Sequence, residues 1–320
     1  MKIIYSLLMM VALALAGPAC GKKDTAFRMD LIKYLDNSYT RSFEESLKTG
    51  LKDAGLLEGR DYKLRIRSAQ GDMATLTMLV DASVNARTDL LITFQSPTLY
   101  TAIQRAPSVN KIFTLLQNPF ILGAGQSDDD HLPRLTGLYL VPPFEEMLDL
   151  IGQCSPPISS IGTIYDPGND DSVYRRDELA RLAAERSIQT IAVPYTSQNE
   201  IMMATDSLMS QSPKAVIHLQ DPAQDITFPA LFKNSVRRKI PVFSLVYNME
   251  KIGAVIACST DRQEIGTQFA NMVVRIVRGE DPSFMPLEND RVLKKRYGYN
   301  RTVASDIRLT LPESLLQKPQ

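Results

Sequence analysis

The feature that most constrains this chain is an alternation of short apolar runs with helical patterns, and its clearest instance begins at Ile158. Ile158-Ser-Ser-Ile-Gly-Thr-Ile-Tyr165 is an apolar, β-branched run, and Asp166-Pro-Gly-Asn-Asp-Asp-Ser172 follows as a tight polar turn before a helical pattern. A buried parallel strand feeding a helix N-terminus has this signature. The same order recurs on both sides. Residues before about 140 and after about 158 each read strand–helix–strand–helix–strand–helix–strand. The chain therefore predicts an α/β protein of two similar Rossmann-like lobes with parallel sheets, joined by a hinge.

Strands of the first lobe are expected at 27–35, 62–67, 89–94 and 111–116, with helices at about 40–54, 73–86 and 97–105. Ser96 is expected to cap the third helix, with Pro97 in its first position. Pro142-Pro143 marks the crossing to the second lobe. There a helix is expected at 144–153, strands at 158–165, 188–194, 214–219 and 240–245, and helices at 172–186, 198–210 and 224–236. Ile252 to Cys258 reads as one more strand. Asp261 caps a long helix over about 262–278 that stops at Gly279 and packs back on the first lobe. A strand near 296–300 and a last helical turn after Pro312 complete the pattern. The expected division is 28–138 with 250–285 in the N-terminal lobe, and 139–249 with 286–320 in the C-terminal lobe.

The first twenty residues stand apart: a basic start at Met1-Lys2, an apolar run from Ile3 to Ala16, then Gly17-Pro18-Ala19 and Cys20. This is an export signal, with residues 21–27 a short polar tether. Cys20 after a small residue resembles a bacterial lipoprotein processing site, which would leave a lipid anchor on Cys20. Ordinary signal cleavage, leaving a free Cys20, is the alternative, since Gly17 stands where such sites usually carry an aliphatic residue. Export permits disulfides; Cys154 and Cys258 read as two buried thiols, with a bridge between them the other reading. Lys plus Arg and Asp plus Glu both number 36, a balance that argues against a nucleic-acid partner.

Ligands of open parallel sheets bind beyond the carboxyl ends of the strands. Those ends fall at 36–39, 68–72, 95–98, 117–119, 166–172, 220–222 and 259–261, and helix N-termini at several of them suit an anionic group such as a carboxylate. Ser96 and Thr98, flanking a helix start after an apolar strand, are the leading binding residues. Asp166 and Asn169 are expected to shape their turn, and Ser172 to cap the helix and face the cleft. Tyr39, Phe94 and Tyr165 could wall a pocket or belong to the core. No hydrolase, phosphate-loop, zinc or complete dinucleotide motif is present. With two histidines an acid–base triad is hard to assemble; the reading is a binding protein, not an enzyme, with no cofactor and no metal.

Several short motifs, in order and spacing, resemble bacterial ABC-transporter substrate-binding proteins of the tryptophan/tyrosine-binding type, which have the type I periplasmic-binding-protein fold. They are Leu47-Lys-Thr-Gly-Leu-Lys-Asp-Ala-Gly55, Ser68-Ala-Gln-Gly-Asp72, Asp89-Leu-Leu-Ile-Thr93 with Ser96-Pro-Thr98, Ile161-Gly-Thr-Ile-Tyr-Asp-Pro-Gly168 with Ser172, Ile240-Pro-Val-Phe243, Gly253-Ala254 with Asp261 and Gly266, and Gly279-Glu-Asp-Pro282. The resemblance runs from about residue 28 to the C-terminus. It implies a small solute, an amino acid and an aromatic one first, held between the lobes by a monomeric receptor. Ser96, Thr98 and Ser172 would then lie near a ligand carboxylate, Asp261 near an amino group, and Asn118 and Asp221 on the cleft walls. Delivery would be to a membrane permease powered by a separate ATPase, with closure hinged near 138–143, 246–252 and 284–290. Asp36-Asn-Ser-Tyr39 and Gln95 depart from the family pattern. A sensory receptor reporting to a membrane signalling partner is the alternative function.

Overall fold

The computed structural model describes residues 26–219 and 228–318. The first half runs β1 (Phe27–Lys33), α1 (Ser38–Asp53), β2 (Tyr62–Ser68), α2 (Met73–Asn85), β3 (Leu90–Phe94), α3 (Ser96–Arg105), β4 (Asn110–Thr114) and β5 (Leu135–Tyr139). The second runs α4 (Phe144–Gly152), β6 (Ser160–Tyr165), α5 (Asp170–Glu185), β7 (Gln189–Pro194), α6 (Ile201–Ser210), β8 (Ala215–His218), α7 (Phe228–Arg238), β9 (Val242–Ser244) and β10 (Ile256–Thr260). Then come α8 (Arg262–Val277), β11 (Glu288–Asn289), β12 (Lys295–Tyr299), α9 (Arg301–Asp306) and α10 (Glu313–Leu316).

Two six-stranded sheets result, one ordered β11-β5-β4-β3-β1-β2 and the other β12-β10-β9-β8-β6-β7. The same strand order is thus built twice, each time with a sixth strand added beside the fifth. Central strands are buried on both faces, as the run Leu90-Leu-Ile-Thr-Phe94 requires, and Leu31 aligns with Ile66 on one side and Ile92 on the other. Pairing is parallel throughout the first sheet, whereas β12 runs antiparallel to β10 in the second. Helix starts follow local chemistry. Asn37 and Thr40 form a capping box on α1, and Asp72, Asn169 and Asp261 cap α2, α5 and α8.

Residues 250–285 do not all belong with the first lobe. β10 pairs in parallel with β9, Ile256 opposite Phe243, so it is the fifth strand of the second sheet. In the opposite sense, β11 pairs with β5, Glu288 opposite Leu138, although the sequence pattern assigns 286–320 to the second lobe. The chain therefore crosses between sheets at 140–143, 260–262 and 290–294, in place of the expected crossings near 246–252 and 284–290. Each fifth strand hands the helix after it to the other lobe. Phe144, Met147 and Ile151 of α4 pack with Ile161, Leu179 and Ile217 of the second lobe. Ile265, Phe269 and Val273 of α8 pack with Met29, Phe43 and Leu47 of the first. Gly50 lets α1 approach α8 closely, since a methyl there would overlap Ala270 Cβ.

Cys154 and Cys258 are free and buried in one core cluster, and burial pushes both thiols up to about 12. No helix among the described residues is long and apolar enough to cross a membrane. The export signal, Cys20 and Asp221 lie outside the described residues.

Candidate functional site

The carboxyl ends of β1, β3 and β4 form one rim of an inter-lobe cleft, and the turn after β6 with the start of α5 forms the facing rim. At the centre of the first rim the backbone is unusual. Gln95 has φ 74° and ψ 152°, a conformation that costs a non-glycine residue about 1–3 kcal/mol. It takes the cap position of α3 without a side-chain capping bond, and its Oε1 instead accepts from Leu35 N–H at 2.7 Å. Ser96, expected as the cap, is therefore the first helical residue, and its hydroxyl is released toward the other lobe. Ser96 Oγ donates to Asp171 Oδ2 at 2.6 Å. That bond joins the first turn of α3 to the first turn of α5 across the cleft, and it places a carboxylate at the N-terminal, partially positive end of α3.

Thr98, two residues on, is fully buried, and its Oγ1 has no hydrogen-bonding partner among the described residues. Ser172 is also fully buried. Its Oγ accepts from Asp166 N–H at 3.0 Å, and its own N–H donates to Asn169 Oδ1, so Asn169 rather than Ser172 is the cap of α5. Asn118 acts within its own turn, where Oδ1 accepts from Phe120 and Ile121 N–H and fixes the chain after β4. The half-buried Tyr39 lies edge-on to Phe43, with the Arg262 guanidinium 4.8 Å from its ring centroid.

Asp261 caps the long helix as expected and is ion-paired as well. One carboxylate oxygen accepts from Gln263 N–H at the start of α8, and the other accepts from Arg296 Nε on β12. Burial alone would raise its pKa, but the Arg296 guanidinium and the Gln263 N–H outweigh burial and hold the carboxyl below its ordinary range. The first-loop charges are likewise mutually satisfied. Lys33 Nζ donates to both Asp36 and Glu44, and Arg41 with Lys33 holds the Asp36 carboxyl below its ordinary range.

A cavity lies where the three crossings meet. Tyr39, Gln117, Val141, Ser259, Arg262 and Asp290 are among its lining residues. Asp290 is 2% exposed and accepts from Val141 N–H at 2.7 Å, while Lys295 Nζ donates to its carbonyl and to Thr260 Oγ1. All three crossings are thereby tied to one another. Burial pushes the Asp290 carboxyl up, against the pull of Thr260, Val141 N–H and Lys295. Among the described residues, no group of three or more His, Cys, Asp or Glu side chains is placed to hold a metal.

Of the expected set, Tyr39, Ser96 and Thr98 gather at the first rim and Ser172 at the second, while Asn118 Oδ1 is bonded within its own turn and Asp261 caps α8 and pairs with Arg296. Asp171, Gln117, Ser259 and Arg262 are additional cleft or cavity residues. All four fall at strand ends or helix starts marked by the alternation; Asp171, Gln117 and Arg262 each adjoin a residue favoured there in its place, and Ser259 lies two residues from Asp261.

A family model described as ABC transporter substrate binding protein matches residues 34–320. The tyrosine-binding protein of Clostridioides difficile (strain R20291) is 21% identical over 240 residues, which is 74% of this chain and 68% of that protein. Among solved structures, a conserved domain protein from Vibrio cholerae superposes with a TM-score of 0.78 at 23% identity, covering 91% of this chain and 97% of its own. The ABC domain in complex with L-Trp from Streptococcus pneumonia superposes with a TM-score of 0.80 at 18% identity, covering 91% and 98%. The two structures share the two-lobed fold.

Proposed function

Because the chain belongs to the family of ABC transporter substrate-binding proteins, we propose that it captures a small amino acid, aromatic ones first, between its lobes and delivers it to a permease driven by a separate ATPase. The observation that carries this reading is the Ser96–Asp171 bond: the N-terminus of α3 already binds a carboxylate reaching over from the other lobe. A ligand carboxylate takes that place on Ser96, with the buried Thr98 hydroxyl as a further donor. Ser172 keeps a hydroxyl proton to donate from the facing rim. Asp171, released from Ser96, then meets the ligand's ammonium in place of Asp261, whose charge Arg296 neutralises. Tyr39 walls the pocket, and Asp221 belongs to the second rim.

The tyrosine-binding and L-Trp-bound relatives support an aromatic cargo. The family is one of solute receptors rather than enzymes, and the chain works without turnover or cofactor, as a monomer. The amino-terminal signal and Cys20 fit export and a lipid anchor holding the protein at the outer face of the membrane, within reach of the permease.

A melting screen against amino acids and nucleosides tests the reading, because a ligand specific to the folded state raises Tm. At least one amino acid is expected to give a saturable rise. Ser96→Ala and Asp171→Asn are each expected to weaken its binding by about tenfold or more, the scale of a lost charge-assisted hydrogen bond. If no amino acid raises Tm, or if both variants bind like the wild type, the reading is wrong.

A further inference from the structure

The cavity at the crossings bears on which part of the ligand the receptor reads. Two of its lining side chains are more than nine-tenths buried and hold an oxygen with no hydrogen-bonding partner among the described residues. They are Gln117 Oε1, on a residue 7% exposed, and Ser259 Oγ, on a residue 8% exposed. Gln117 follows β4 of the first lobe and Ser259 lies on β10 of the second, so the lobes contribute one each. A buried carbonyl oxygen left unmatched is costly, and a ligand group that donates to it relieves that cost.

Charge restricts the donor. The Arg262 guanidinium borders the cavity with no carboxylate paired to it among the described residues, and the Lys295 ammonium is held just behind it on Thr260. The carboxylate at the cavity, Asp290, is engaged by Val141 N–H. Two nearby cations and a committed acid disfavour an ammonium, so the fitting donor is neutral. The Arg262–Tyr39 stack adds a planar wall against which a flat group can lie.

We propose that this cavity is a distal subsite that receives a neutral N–H or O–H at the far end of a flat ligand side chain, with Gln117 Oε1 as acceptor, Ser259 Oγ as second partner and the Arg262–Tyr39 stack as platform. This rests on the amino-acid reading, in which the ligand's carboxylate is engaged at α3. The subsite makes Gln117 and Ser259 determinants of which ring the receptor accepts. A site built around a ligand donor rejects the analogue lacking it far more strongly than an apolar pocket would.

Calorimetric titration of the full chain with two matched pairs tests this: L-tyrosine against L-phenylalanine, and L-tryptophan against 1-methyl-L-tryptophan. In the wild type, the donor-bearing member of at least one pair is expected to bind about tenfold or more tighter than its partner. In Gln117→Leu and in Ser259→Ala that preference is expected to fall below about threefold. Binding without preference in the wild type, or a preference that survives in both variants, overturns the subsite and leaves the amino-acid reading intact. Failure of all four compounds to bind, while another amino acid raises Tm, also overturns the subsite alone. Failure of every amino acid overturns both.

Discussion

Lys111→Met is expected to remove a contribution to stability that, in the wild-type protein, grows between neutral and alkaline pH. Lys111 lies inside the first lobe, 2% exposed, near the start of β4. Its Nζ donates to the carbonyls of Ala106 at 2.9 Å and Val109 at 2.8 Å, and no carboxylate pairs with it among the described residues. Burial, with Arg134 adding repulsion, pushes the ammonium down from 10.5 to about 8. In the unfolded chain the same lysine keeps its proton to about 10.5. Between those values the unfolded state therefore binds more protons, and stability climbs with pH. Integrated from pH 7 to pH 10, the gain is roughly 2.5 kcal/mol. Below pH 8 the folded protein carries the charge and the gain is absent. Urea unfolding of wild type and variant at both pH values measures it. The buried thiols and the tyrosines titrate in both proteins, so the difference between the proteins removes them. Met leaves the Val109 carbonyl without this donor, an offset of about 1–3 kcal/mol common to both pH values. Equal pH dependence in the two proteins would refute the reasoning.

Arg296→Ala is expected to erase the stabilisation that Asp261 supplies above its unfolded value of 3.8. That contribution is lost as pH falls through the lower folded value, so wild type and variant should differ in stability at pH 7 and converge in strong acid; a constant gap across the titration would contradict it. Gly50→Ala is expected to lower stability by about 1–3 kcal/mol through overpacking against Ala270, outweighing a helix-propensity gain of about 1 kcal/mol. Adding Ala270→Gly should recover part of the loss in thermal unfolding, and a single variant as stable as wild type would show that α1 and α8 yield freely.

The two-lobed fold was legible because its signals are local: apolar runs such as Leu90 to Phe94, caps such as Asn37 and Asp261, and turn residues between them. What escaped depends on partners distant in sequence. Nothing in Ile252 to Cys258 says that the strand proper begins at Ile256 and pairs with β9, and β11 has two residues and no period to detect. Ser96-Pro97 reads as cap and first turn, but the bond from Leu35 N–H to Gln95 Oε1 moves the cap back by one and frees Ser96 for the cleft. Asp261 was legible as a cap and illegible as an ion pair, because Arg296 lies 35 residues away on an edge strand. At the cavity, Gln117 and Ser259 are ordinary polar residues in sequence, and only packing strands their oxygens.

The exchange of α4 and α8 between the sheets means that neither half is a self-sufficient folding unit. A fragment ending at Leu140 would leave Phe43 and Leu47 without Phe269 and Val273, and a fragment beginning after α4 would expose Leu179 and Ile217. That exchange holds the two halves together at the crossings, away from the rims of the cleft.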